Sequence, residues 1–235
     1  MNEQPNPTPA LQTKKRTSLL RKCFYTLIGM ILIFIIVGLF LPTTFHAEKT
    51  VTINATADKI FPFINSPKTW SDWSAWNTKS HPTLKYQYEG PISGVGATSI
   101  WTDDSMKNPG KTVITQSMKN KAISYTLSMG GQEMQGEIIL TTNPQNPQHT
   151  DVTWKLGGDI GNNIIVRYFY AAGQVKLWIE QDFQTGLLNL KADLAGEPRP
   201  LPPNAPEDQK ENQNDKPKDN KTNNSKSDTD KPTQK

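Results

Sequence analysis

The sequence predicts an α+β domain, an antiparallel meander of strands covered by a long C-terminal helix, with one membrane-spanning helix ahead of it. Three observations predict it. Phe24 to Leu41 is an unbroken apolar run behind five basic residues. From Leu84 to Leu156 apolar side chains recur at every second position between clusters of turn formers. From Val175 to Leu194 they recur three or four apart. Period two belongs to strands with one buried face, and a spacing of three or four belongs to one stripe of a helix.

The apolar run comes first. With Cys23 it spans about 19 residues, close to 28 Å as a helix and matched to a hydrocarbon core of ~30 Å. Thirteen of its residues are Leu, Ile, Val or Phe, so insertion is favourable by roughly 4–8 kcal/mol. Lys14, Lys15, Arg16, Arg21 and Lys22 precede it and no basic residue follows closely, which predicts a cytoplasmic N-terminus and a domain on the other side. A cleaved secretory signal is the alternative. Its h-region would be shorter, and the best small-x-small site, Phe45-His46-Ala47, has a bulky first residue. Cys23 precedes the run and is the only cysteine, which excludes a processed lipoprotein cysteine, an internal disulfide and any metal site built on paired cysteines.

Both ends read as unable to pack. Residues 1–22 are polar, with Pro5, Pro7 and Pro9, and the predicted leader is disordered and cytoplasmic, with the span at 23–41. Residues 196–235 read as a disordered polar tail: from Glu197 on there is no aromatic residue, and there are seven prolines and eight acidic against eight basic residues. So well mixed a tail is no nucleic-acid arm, and the formal charge of +4 traces mostly to the cluster before the span. The predicted partners are a membrane and an apolar small molecule, with no nucleic acid.

Residues 45–195 remain as one domain. Val51 and Ile53 alternate as a strand; Thr56 is placed to cap a short helix through Asn65, which Pro62 keeps short or kinked. Pro67 begins a further turn or two of helix bearing Trp70, Trp73 and Trp76. Strands follow at Leu84–Tyr88, Ala97–Thr102, Lys111–Met118, Ile123–Met129, Met134–Leu140 and Val152–Leu156, separated by Gly, Pro and Asn clusters. The terminal helix carries Val175, Ile179, Phe183, Leu187, Leu190 and Leu194 on one face. It starts near Asn163, with Gly173 as a point of division and Gly196 and Pro198 as stops.

Two stretches are specific. Trp70-Ser71-Asp72-Trp73-Ser74-Ala75-Trp76 is followed closely by Tyr88-Glu89-Gly90-Pro91-Ile92-Ser93-Gly94-Val95-Gly96-Ala97. With the Val51–Ala55 strand and the Asp182–Lys191 helix, they resemble the polyketide cyclase/dehydrase branch of the SRPBCC (START-like) superfamily, more narrowly bacterial members with one N-terminal anchor. The resemblance implies a helix-grip fold: a seven-stranded antiparallel sheet curled around the C-terminal helix, with an apolar cavity between them. Together with the one-sided basic flank of the apolar run, it predicts a single-pass protein of the bacterial cytoplasmic membrane with the domain on the periplasmic or extracellular side. The candidate cavity residues are Trp73, Tyr86, Trp101, Tyr125, Trp154, Tyr168 and Trp178, with Met129 and Met134; each is equally an ordinary core residue type.

Chemistry is harder to find. His46, His81 and His149 stand apart, and no serine sits in a nucleophile-elbow pattern. Glu89, Asp103, Asp104, Glu133 and Glu137 are the candidate acids, but alternation turns Glu133 and Glu137 away from the face of Met134 and Ile138. The sequence therefore predicts no catalytic residue, metal or cofactor. It favours a membrane-anchored domain binding a lipid or other hydrophobic molecule, ahead of a cyclase- or hydrolase-like enzyme and of an envelope scaffold with a flexible tail.

Overall fold

The computed structural model describes residues 14–104 and 106–200. The chain runs α1 (Lys14–Phe40), β1 (Thr44–Ile53), α2 (Ala57–Ile64), α3 (Pro67–Trp73), β2 (Lys85–Glu89), β3 (Thr98–Thr102), β4 (Gly110–Met118), β5 (Ala122–Met129), β6 (Gln132–Asn143), β7 (Asn146–Asp159), α4 (Ile164–Ala171) and α5 (Gln174–Ala195). The strands form one seven-stranded sheet in the order β1-β7-β6-β5-β4-β3-β2, antiparallel throughout. This is the α+β helix-grip arrangement. β2 to β7 follow one another as a meander, and only β1 joins out of turn, pairing with β7.

Alternation decides which face is buried. Tyr125 on β5, Ile138 on β6 and Val152 and Trp154 on β7 are buried. The α5 stripe of Phe183, Leu187 and Leu190 completes the same core. Gly186 lets α5 approach, since a Cβ there would lie 3.2 Å from the Trp154 ring. Polar groups in this core are bonded: the buried Asn189 amide donates to the Trp73 carbonyl at 3.1 Å, and the Thr150 hydroxyl to the Ala55 carbonyl at 2.8 Å.

The terminal helix is divided where Gly173 stands. Asn163 caps α4, its side chain accepting from the amides of Ile165 and Val166 at 3.0 and 3.3 Å. Gly173 then takes φ 74°, a left-handed conformation that glycine adopts without strain. The Glu89–Ala97 turn uses glycine the same way, with Gly90, Gly94 and Gly96 at φ 74°, 80° and 85°.

Four expectations are corrected. The first helix begins at Lys14, so residues 14–22 are helical instead of a disordered leader; Lys and Arg are good helix formers and simply extend the apolar helix. Residues 1–13 lie outside the described residues. Thr56 occupies the cap position of α2, but its side chain makes no capping hydrogen bond to the helix amides. Trp76 lies beyond α3, which ends at Trp73. The stretch after Gly196 is also less idle than its composition suggests: the Arg199 guanidinium grips the Asp193 carboxylate at 2.6 and 2.8 Å and donates to the Asp72 carbonyl at 2.7 Å. Residues 201–235, the rest of the predicted tail, lie outside the described residues.

Residues 19–40 form a helix long and apolar enough to cross a membrane, and nearly all of its surface is exposed.

Candidate functional site

A cavity of about 380 Å³ lies between the sheet, α3 and α5. Strand alternation brings Tyr86, Trp101, Tyr125, Met134 and Trp154 to it from five strands and Met129 from the end of β5, while α5 adds Trp178. These are seven of the nine residues named from sequence. Trp73 is not among them. Its side chain is fully buried behind the wall, packed on Trp70 and Trp154 with ring centres 6.0 and 5.1 Å away, and its indole donates to the Phe63 carbonyl at 3.3 Å. Tyr168 is the second exception, because α4 turns it toward α1: its ring stacks on Phe34 at 4.2 Å and its hydroxyl donates to the Phe34 carbonyl at 2.7 Å.

The wall is ordered by aromatic packing. Trp154 lies flat on Phe183 with ring centres 4.4 Å apart, and Trp70 meets Tyr125 and Trp154 edge to face. The Trp154 indole donates to the Tyr125 hydroxyl at 2.7 Å. Burial pushes the Tyr125 phenol far above its ordinary value despite that bond. Trp101 contributes an orphaned donor: its indole nitrogen is buried with no hydrogen-bond partner among the described residues. A buried donor left unpaired costs about 1–3 kcal/mol.

None of the five carboxylates considered from sequence lines the cavity. Glu137 lies in a depression on the opposite face of the sheet with Glu48 and Lys155, and Asp104 pairs with Lys85 at 3.9 Å. The carboxylate that does line it is Asp182 on α5. Trp76, just past α3, donates its indole N–H to Asp182 Oδ2 at 3.0 Å, and His81 stacks on the Trp76 ring with centres 5.0 Å apart. The Tyr86 hydroxyl donates to the Trp76 carbonyl at 2.7 Å, so the group is fixed from both sides. Burial raises the Tyr86 phenol to about 12. A usable signal for Asp182 was present: it falls seven residues after Val175 and three after Ile179, on the stripe that α5 turns inward.

Burial pushes the Asp182 carboxyl above its ordinary 3.8, against the Trp76 hydrogen bond and the nearby His81. A carboxyl with a raised folded value binds its proton more tightly in the folded state. Its stabilising bias is complete below 3.8 and is lost as pH rises through the raised value. At neutral pH the ionised group therefore weighs against folding. Asp182→Asn, which keeps an oxygen for Trp76, is expected to raise the melting temperature at neutral pH and leave it unchanged at low acid pH; melts of both proteins across pH 3–8 check this.

The sequence profile of a family described as "Polyketide cyclase / dehydrase and lipid transport" matches residues 44–195. The chain belongs to this family. Its fold is one that binds hydrophobic ligands, and the aromatic cavity lies within the matched residues. Solved structures of similar fold include a protein of the dynemicin biosynthetic locus at 14% identity and TM-score 0.45, covering 66% of this chain and 49% of that one. This chain therefore spans about half the length of that relative. A protein of unknown function from Staphylococcus aureus is similar at 9% identity and TM-score 0.48, covering 65% and 96%. A point mutant of norcoclaurine synthase from Thalictrum flavum, solved with a transition-state analogue, is similar at 12% identity and TM-score 0.44, covering 64% and 96%. No curated protein sequence matches the chain.

Proposed function

We propose that this polyketide cyclase/dehydrase-family domain is held outside the bacterial cytoplasmic membrane by α1 and carries a lipid or comparable apolar molecule in its cavity. The observation that carries the reading is the lining. About 380 Å³ is bounded mainly by aromatic, aliphatic and methionine side chains, with a few serines, Thr112 and Gln132 and one carboxylate, Asp182, among the described residues. That volume falls in the range of ~300–1,000 Å³ common to small-molecule sites, and few polar groups suit an apolar ligand. The anchor reading rests on the apolar helix and on the basic residues that precede it.

The experiment is native mass spectrometry of the detergent-purified chain with solvent extraction of whatever co-purifies, alongside titration with a fluorescent fatty-acid probe. A stoichiometric apolar molecule, or saturable probe binding, is the expected result. Absence of both would sink the reading. Met129 at the cavity edge is partly exposed, so Met129→Ala is expected to change stability by no more than about 0.5 kcal/mol while shifting the preferred chain length of the probe.

Asp182 favours a second reading, acid–base conversion of the bound molecule, because a carboxylate of raised pKa inside a cavity is placed to move a proton. Product formed from an extracted ligand by the parent chain, and not by Asp182→Asn, would support it. Return of the ligand unchanged by both proteins leaves the carrier reading alone.

A further inference from the structure

We propose that the cavity mouth faces the bilayer: α4 and the first turns of α5 lie in the membrane–water boundary beside α1, and the ligand passes between the extracytoplasmic leaflet and the cavity without crossing water. The inference rests on the anchor and the apolar cavity proposed above.

Depth is fixed by the contact between α4 and α1. Tyr168 bonds to the carbonyl of Phe34, and Arg167, itself buried, donates to the carbonyl of Leu39 at 3.3 Å. Gly38 makes the approach close, since a Cβ there would lie 2.3 Å from Cγ2 of Ile164. Phe34 precedes the end of α1 by six residues, about 9 Å along a helix. Tyr168 is thus level with the apolar span, and surface helices sink about 5–10 Å into the headgroup boundary.

The exposed side chains there suit that boundary. Ile165 and Phe169 on α4 are 62% and 63% exposed, and Leu177 and Trp178 on α5 are 48% and 61% exposed. The single charged residue of α4, Arg167, is turned inward onto the Gly161 carbonyl and the Asn162 side chain. The patch continues the bare apolar surface of α1, so one medium covers both. That continuity selects lipid as its occupant.

The sheet register puts the mouth on this side. β1 leaves α1 at Thr44, which pairs with Asp159; Gly158 pairs with Met134, and Met129 with Gln132. The β5–β6 turn is therefore at the α1 end of the sheet. Met129 and Gln132 from that turn and the exposed Trp178 all line the cavity. The opposite end holds the β2–β3 turn, where Ile92 is 84% exposed.

The test uses the full chain with Cys23→Ser and a single cysteine at Ile165, Phe169 or Ile92, labelled with an environment-sensitive fluorophore and reconstituted in phosphatidylcholine vesicles. Nitroxides near the top of the acyl chain are expected to quench the labels at 165 and 169 several-fold more than the label at 92. Equal quenching at all three sites overturns the proposal. So does shielding of the labels at 165 and 169 from both lipid nitroxide and aqueous iodide, which would place a protein there. In a second arm, Ile165→Asp with Phe169→Asp is expected to slow uptake of the fatty-acid probe from vesicles about tenfold while leaving its affinity in detergent unchanged. Unchanged uptake overturns the bilayer route. Failure of the parent to bind in detergent would instead count against the cavity reading.

Discussion

Replacing Trp73 by alanine is expected to destabilise the domain by about 3–5 kcal/mol, the range for deleting a buried aromatic side chain. The indole is 0% exposed and touches Trp70 and Trp154. Its removal leaves a void that α3 cannot collapse into, because the Trp73 backbone carbonyl is held by Asn189 of α5. For a domain of this size each kcal/mol lowers the melting temperature by roughly 2–4 °C, so a drop near 10 °C or more should appear in thermal melts followed by circular dichroism. Trp178→Ala is the control. That side chain is mostly exposed at the cavity mouth, so its loss should change stability by about 0.5 kcal/mol or less and weaken probe binding. Equal melting changes in the two variants would contradict the assignment of Trp73 to the core and Trp178 to the cavity.

The contrast between these two tryptophans shows where a one-dimensional pattern stops being informative. Period two placed Tyr125, Met134 and Trp154 on one face, and the cavity follows directly from that face. The Trp-x-x-Trp-x-x-Trp spacing treated three residues as parts of one helix, yet α3 ends at Trp73 and Trp76 leaves it to reach Asp182. Only the end of the helix decides that, and Ser74 gives little warning of it. Tyr168 escaped for a different reason. Its helical spacing was compatible with the cavity, but α4 packs against α1, more than 120 residues earlier in the chain. Long-range docking of that kind leaves no local period. Asp182 was legible in principle, on the inward stripe of α5, and was missed because a carboxylate on a core stripe reads as solvated unless its partner is known.

The floor of the cavity can be tested at Gly136, where β6 passes under Tyr125. A Cβ on Gly136 would lie 2.0 Å from Cζ of Tyr125 and 2.4 Å from its hydroxyl oxygen. The ring is 2% exposed and boxed in by Trp70, so it can yield only toward the cavity. Moving it breaks the 2.7 Å bond from the Trp154 indole and leaves that buried donor without a partner. Gly136→Ala is therefore expected to cost about 2–4 kcal/mol, combining overpacking with the lost hydrogen bond. It should also shrink the cavity and lower probe affinity beyond what unfolding explains, measured on the folded fraction well below the melting temperature. The double variant Gly136→Ala with Tyr125→Leu separates the causes. It removes the clash, so probe binding should return in part, while the Trp154 donor stays unpaired and stability recovers incompletely. Full affinity in the single variant would mean that Tyr125 does not bound the ligand space.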